Sequence, residues 1–407
     1  MTRTRKKILV VTSTFPASDS DPVPAFVREQ IIAMQKAAPY LEFFVLAPHD
    51  KRSNTRSYSE HAYYTEHRFH YAFPYSIEKL AGRGIMPALQ ANPLNYLLIL
   101  PLFIGELLAT WRLTKKIRPD VLYAHWFTPQ AIICMIVARY TGIPFVFTTH
   151  ASDVAVWRKI PIIGSFIVKK VACRASKVTA VSERSMYKLE SFFTKKEWSD
   201  LQKKTRIIPM GMSAAPNNPR IHQNNTILFI GRLVEKKGLQ YLLPAFKKAL
   251  QDNPDTRLII AGDGPWRQKL EAFARELHIQ KNVEFVGYVH GDEKAKLLAD
   301  ASYYVVPSII TDSGDAEGLP VSLMEGLANG LVCIATEESG ADNILDDGND
   351  GYLIPQKDTD ALADALRLAL SLNKTAYQAV SKHALQTSRQ FEWPTVAAEH
   401  LDYFELT

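Results

Sequence analysis

Twelve short apolar runs, four to seven residues each, alternate with helix-length segments along the 407-residue chain. They fall at 7–13, 41–47, 120–124, 144–149, 177–182 and 205–208, then at 226–230, 256–261, 282–286, 302–306, 331–335 and 351–354. Strands this apolar are covered on both faces, and strands separated by helices form parallel sheets with helices on either side. Between the sixth and seventh runs the chain turns polar, with Pro216 and Pro219, which marks a linker. The chain is long for one core and sufficient for two. The fold class is therefore α/β, as two Rossmann-like parallel-sheet domains over 1–212 and 226–390.

In such sheets ligands sit beyond the carboxyl ends of the strands, so the chemistry is sought there. The run 226–230 leads into Gly231-Arg232-Leu233-Val234-Glu235-Lys236-Lys237-Gly238, a strand followed by a glycine turn. Arg232 and Lys237 can both reach a diphosphate, one by a bidentate fork and the other as a point charge. Further on stands Glu317-Gly318-Leu319-Pro320-Val321-Ser322-Leu323-Met324-Glu325. Proline suits the first turn of a helix, which puts Glu317 in the preceding loop and Glu325 one to two turns inside. The amides around Gly318 and Leu319 then form a helix N-terminus, a seat for an anion.

These two motifs, in this order and half of the chain, resemble those of the family 4 (GT4) retaining glycosyltransferases. The resemblance covers nearly the whole chain, with its specific motifs mostly between 226 and 360. It implies the GT-B fold, with the two domains facing across a cleft: an acceptor-binding first domain, and a second that binds a nucleotide-sugar donor. The closing segment 391–407 is expected to cross back onto the first domain. In the family the Gly-Arg-…-Lys-Gly loop, here Gly231, Arg232 and Lys237, holds the donor's diphosphate. Glu317 contacts the transferred sugar and Glu325 the ribose, with Gly318, Leu319 and Pro320 lining the site. Gly262 and Gly264, after the run 256–261, line the donor cleft, and Gly287 and Tyr288 meet the nucleobase. Family habit favours UDP. The segment His150-Ala151-Ser152-Asp153 resembles the family's Thr-His-Gly-Ser-Asp, with alanine in place of glycine, and puts His150 beside the transferred sugar and Asp153 in the site. His125 has a weaker claim of the same kind, and Asp153 has the alternative of capping the next helix.

Retention without an enzymic nucleophile implies front-face attack, the leaving diphosphate being stabilised electrostatically. No cofactor is implied beyond the donor as co-substrate. Asp19-Ser20-Asp21 has the form of a metal signature, but GT-B enzymes hold the diphosphate with cations and amides, so no metal is expected. Within the family the closest patterns are those of bacterial exopolysaccharide, O-antigen and teichuronic-acid transferases. These move a hexose to a glycan or lipid-linked acceptor at the inner face of the cell membrane. Two alternatives remain open: another GT-B enzyme, such as a sugar-nucleotide epimerase or a phosphorylase, and a non-catalytic partner subunit. An NAD dehydrogenase lacks support, because Gly262-Asp263-Gly264 is not followed by a third glycine.

Charge points to a surface as well as a substrate. Residues 1–215 hold 30 of the 48 Lys+Arg and 15 of the 42 Asp+Glu, a net of +15 against −9 for the rest. A basic half faces an anionic partner. With no nucleic-acid-binding motif, nucleic acid is not expected. An anionic membrane surface fits the alternation of basic and apolar residues over 160–177, which has the pattern of an interfacial helix. A second apolar stretch, 94–111, approaches spanning length. Pro101, Gly105 and Glu106 interrupt it, so it is expected to lie on the sheet or dip into lipid rather than span. The apolar run behind the basic start is too short for a signal peptide's core. The scattered Cys134, Cys173 and Cys333 read as buried apolar residues in a reducing cytoplasm. The expected location is cytoplasmic and peripheral on the inner membrane face.

Overall fold

Each of the twelve apolar runs forms a strand. The computed structural model describes residues 5–18, 21, 23–51, 55–80, 85, 88–89, 92–150, 152–213, 223–312, 314, 316–317 and 319–406. Gly318, Ala151, Asp19, Ser20 and most of the linker lie outside the described residues. The chain divides into two units, Met1–Gly211 with Trp393–Thr407, and Met212–Glu392.

In the first unit the strands are β1 (Lys6–Val11), β2 (Leu41–Pro48), β3 (Tyr58–Glu60), β4 (Thr65–Phe69), β5 (Val121–His125), β6 (Phe145–Thr149), β7 (Lys177–Ala180) and β8 (Thr205–Ile207). They pair in the order β3-β4-β2-β1-β5-β6-β7-β8, parallel except for the antiparallel β3–β4 pair. Ile8 to Val11 are almost wholly buried, and each such side chain contributes roughly 1.5–3 kcal/mol. Chain connections that run from left to right and from right to left along a parallel sheet put their helices on opposite faces. Accordingly Ile99–Ile117, Ile132–Thr141 and Pro161–Arg174 share one core with Leu9, Leu122 and Phe147. Phe26–Ala37 covers the other face, where the closing helix Trp393–Tyr403 packs against it. Trp393 Nε1 donates to Glu29 Oε2 at 2.8 Å.

Strands β3 and β4 were not expected from the sequence. The β4 run Thr-Glu-His-Arg-Phe is polar because Glu66 and Arg68 are buried as a pair. Arg68 also donates to the carbonyls of Phe15 and Pro48, at 2.9 and 3.1 Å. A polar strand paired internally carries no apolar signal.

The stretch Pro93–Ile117 is long and apolar enough to cross a membrane by length and composition. In the fold its Leu102, Glu106, Thr110, Leu113 and Thr114 line is buried, with Gln130 Nε2 donating to Glu106 at 3.0 Å. The helix lies on the sheet. Burial, opposed by that hydrogen bond, pushes the Glu106 carboxyl up to about 8. One reading of the cysteines is corrected: Cys134 and Cys333 are buried, but Cys173 is exposed. It sits in the last turn of Pro161–Arg174, on the side away from the sheet.

The second unit has β9 (Thr226–Ile230), β10 (Arg257–Ala261), β11 (Val283–Gly287), β12 (Tyr303–Val306), β13 (Val332–Thr336) and β14 (Gly351–Ile354). Their order is β11-β10-β9-β12-β13-β14, all pairs parallel. The order reverses between β9 and β12. That reversal opens a crevice at the carboxyl edge.

Candidate active site

The loops after β9 and β12 carry the two motifs, so the switch point of the second unit brings together residues about eighty positions apart in sequence. The loop after β9 turns at Gly231 and forms a single helical turn over Glu235–Lys237. Gly238 follows with φ +71°, and a Cβ there would lie 1.7 Å from the Pro307 carbonyl oxygen. Only glycine lets the first loop lie against the end of β12, and the Ile309 amide, donating to the Lys236 carbonyl at 2.8 Å, ties the two loops. Lys237 Nζ is thereby 3.3 Å from Glu317 Oε2, and Lys236 Nζ is 3.9 Å from Glu317 Oε1. All three side chains are largely buried, Lys237 and Glu317 being 13% and 14% exposed. Arg232 is exposed, with no ion pair among the described residues.

Glu317 stands in the loop before the helix Val321–Ala328, and Glu325 is one turn inside it. Pro320 is the N-cap and not the first helical residue, one position earlier than the sequence suggested. Leu319 is half-buried against the core beneath. Glu325 Oε1 accepts from Lys294 Nζ at 2.5 Å. Lys294, on the helix Gly291–Asp300, was missed by sequence reasoning. No local pattern links it to Glu325, and only the fold makes them neighbours.

Gly262 and Gly264 have a structural task. A Cβ on Gly262 would lie 1.8 Å from the Gly231 carbonyl oxygen, and one on Gly264 2.3 Å from that of Leu233. They let the loop after β10 close on the loop after β9, where Leu233 donates to the Asp263 carbonyl at 2.9 Å. Gly287 ends β11, its carbonyl accepting from the Gly262 amide at 2.6 Å. Tyr288 is 57% exposed beside that edge, its ring 5.8 Å from that of His290.

In the first unit the order reverses between β1 and β5, and the loops after β5 and β6 carry the histidines. His150 lies among the rings of Trp126, Phe26 and His125, at 4.8, 5.5 and 5.9 Å. Its Nε2 is buried without a hydrogen-bond partner, and burial pushes the ring down to about 3, so it is neutral at pH 7. Trp126, which stacks on it, holds φ +74°, a costly backbone for a non-glycine residue. Sequence reasoning gave Trp126 no role. His125 is wholly buried with both ring nitrogens unpartnered.

Asp153, expected in the substrate site or as a cap of the next helix, has its carboxylate occupied by the protein. The amides of Phe127, His150 and Val154 donate to it at 2.6, 3.1 and 3.1 Å, and Thr149 Oγ1 at 2.9 Å. Burial raises its pKa while these bonds lower it. Its place is to clamp the β5 and β6 loops around His150.

One group of metal-ligand types does assemble. His49, His70 and Glu78 bring their ligand atoms within 4.8 Å of one another. Glu78 Oε2 lies 2.6 and 2.8 Å from the two Nδ1 atoms, while Oε1 accepts the Tyr71 and Ala72 amides at 2.6 and 3.0 Å. Two backbone amides and two imidazole nitrogens surround this buried carboxylate.

Two open parallel sheets, each with polar side chains gathered where its strand order reverses, define the double-Rossmann class of α/β proteins. Residues 55–214 match Glycosyltransferase Family 4 and residues 214–386 match Glycosyl transferases group 1. Together these make the chain a member of the GT4 glycosyltransferases, with the GT-B fold. The putative colanic acid biosynthesis glycosyltransferase WcaL of Salmonella typhimurium is 34% identical over 140 residues, 34% of each chain; the match spans about a third of that relative's length. Sucrose-phosphate synthase from Thermosynechococcus elongatus superposes with a TM-score of 0.74 at 17% identity, over 99% of both chains. Anabaena HepE in complex with UDP and glucose gives 0.66 at 15% identity, over 99% of this chain and 100% of that one.

Proposed function

We propose that the protein is a retaining glycosyltransferase that moves a hexose from a nucleotide sugar to a glycan or lipid-linked acceptor in exopolysaccharide biosynthesis, working at the inner face of the membrane. The observation that carries this is the meeting of Lys237 with Glu317 at the β9/β12 switch point, 3.3 Å apart, with Arg232 exposed on the same loop. A diphosphate is the ligand two such cations suit, and a carboxylate beside it suits sugar hydroxyls. The likeness of part of the chain to a colanic acid transferase supports the pathway class. The UDP held by HepE agrees with a nucleoside-diphosphate donor, UDP being the family's habit.

In this reading Lys237, Arg232 and the Leu319 amide take up the charge that develops on the leaving diphosphate. The departing phosphate oxygen accepts the acceptor's proton, and the acceptor oxygen attacks from the face the leaving group quits. Glu317 orients the sugar hydroxyls, and Glu325, with Lys294, holds the ribose. His150 is neutral, and Asp153 fixes its loop. The charge of the diphosphate is met by side chains and amides, so no metal is required.

The test is thermal stabilisation by UDP, GDP, ADP, CMP, NAD and the common nucleotide sugars, with Arg232→Ala as control. A ligand at about 100 times its dissociation constant adds roughly 2.7 kcal/mol. Stabilisation by UDP and one UDP-sugar, lost in the variant, supports a donor site. Turnover of that sugar nucleotide without acceptor would instead favour an epimerase. Silence across the panel would favour a non-catalytic subunit, and stabilisation by NAD alone would overturn the reading.

A further inference from the structure

The helices Ile99–Ile117, Ile132–Thr141 and Pro161–Arg174 cover one face of the first sheet. Each connects the carboxyl end of one parallel strand to the amino end of the next, so all three run the same way. Their outward residues are graded. Along the first, Leu97, Leu100, Ile104 and Leu108 are exposed, and the next step of four is the exposed Arg112. Along the third, Ile162, Phe166, Lys170 and Arg174 follow at intervals of four, all exposed. Residues three and four apart share a helix face. Both helices thus present apolar side chains at their N-terminal ends and cations at their C-terminal ends. Leu97 is 75% and Ile162 87% exposed, and Phe73, 86% exposed, follows β4 at the same edge of the sheet. Exposed apolar side chains thus recur at the N-terminal ends of these helices.

The cations have few partners. The three helices carry seven Lys and Arg and one carboxylate, Glu106, which is buried. Between the second and third helices lie two adjoining depressions of about 290 and 420 Å³, where Arg139, Lys170 and Arg174 stand among Met135, Ile136 and Tyr140. None of these three cations makes an ion pair among the described residues. Lys170 Nζ lies 5.0 Å from the Phe166 ring centre, which ties the apolar and cationic parts of the stripe together.

We infer that this helix layer docks on an anionic lipid leaflet, with its apolar N-terminal ends in the acyl boundary and Arg139, Lys170 and Arg174 on lipid phosphates. The inference rests on the membrane-facing part of the proposed function and is independent of the donor chemistry. The spacing suits the occupant. An interfacial helix sinks its apolar side about 5–10 Å into the boundary, and Lys170 stands one turn, roughly 6 Å, from Phe166 along the axis. That brings the ammonium to the level of the phosphates when Phe166 is immersed. A second copy is a poorer occupant, since two such faces would oppose Arg139, Lys170 and Arg174 to their own copies, none of them ion-paired among the described residues.

The experiment is co-sedimentation of the full chain with vesicles of phosphatidylcholine alone and with 30 mol% phosphatidylglycerol, at low and high salt. Binding to the anionic vesicles only, weakened by salt, is expected. Each cation removed should cost about fivefold in partition, so Arg139→Ser/Lys170→Ser/Arg174→Ser should lose about two orders of magnitude. Ile162→Ser/Phe166→Ser should lose binding while retaining the cooperative thermal unfolding and far-UV circular dichroism of the unaltered chain, which shows that the variant is folded. Binding unaffected by both variants would overturn this surface and leave the membrane reading standing. No binding by the unaltered chain would overturn the membrane reading itself, with the donor site judged separately by nucleotide. A dimer in light scattering that the Ile162/Phe166 variant dissolves would assign the face to a second copy and overturn the inference.

Discussion

Lys237 Nζ lies 3.3 Å from Glu317 Oε2, so the cation assigned to the diphosphate and the carboxylate assigned to the sugar neutralise each other without ligand. A donor must draw Lys237 from Glu317 or share it. Glu317→Gln should therefore keep or tighten UDP binding, by up to several-fold, while lowering kcat at least 100-fold. Lys237→Ala should weaken UDP binding and lower kcat together. Calorimetric titration with UDP beside steady-state kinetics separates the two. Loss of UDP binding in Glu317→Gln would refute the competition.

Gly238 decides whether the two residues meet. Alanine at φ +71° costs roughly 1–2 kcal/mol in backbone strain, and its Cβ would meet the Pro307 carbonyl at 1.7 Å. Gly238→Ala should lower unfolding stability by at least ~2 kcal/mol in urea, and abolish UDP stabilisation if the loop moves.

Asp153 accepts four donors that hold the β5 and β6 loops. Hydrogen bonds to a charged group are worth roughly 1.5–3 kcal/mol each on removal, so Asp153→Asn should be destabilising by a few kcal/mol. Its effect on kcat should track that of His150→Ala. A variant fully stable yet inactive would restore Asp153 to direct contact with substrate.

Glu106, pushed up to about 8 by burial, keeps its proton in the folded chain at pH values where the unfolded chain has released it. Folding stability from this group is therefore full below about pH 4.5 and falls as pH rises toward 8. Glu106→Gln should remove that decline, seen as a flatter Tm between pH 5 and 8.

Three histidines act in the opposite sense. Burial pushes His150 down to about 3, His400 to about 4 and His125 well below its ordinary range, while unfolded histidines take up protons near pH 6.5. The stability they contribute is present above that pH and lost as the solution is acidified through it. His125→Phe, keeping a planar ring in an apolar site, should blunt the acid loss in a Tm–pH series. An unchanged acid limb would mean that other groups dominate it.

The sequence by itself determined the fold class, because fully buried parallel strands must be apolar and their runs stand out against the helices between them. It located the loop at Arg232 and Lys237 and the pair Glu317 and Glu325, since glycine, proline and charge after a strand are local signals. It could not show β4, whose Glu66 and Arg68 are buried only because they pair with each other. Nor could it show that Lys237 faces Glu317, that Lys294 reaches Glu325, or that Asp153 takes the distant Phe127 amide. Those are contacts between loops brought together by strand order and by a left-handed backbone at 238 that only glycine tolerates there. Periodicity along a chain records which side of an element is buried. Which charges then neutralise one another depends on the neighbours that tertiary packing supplies.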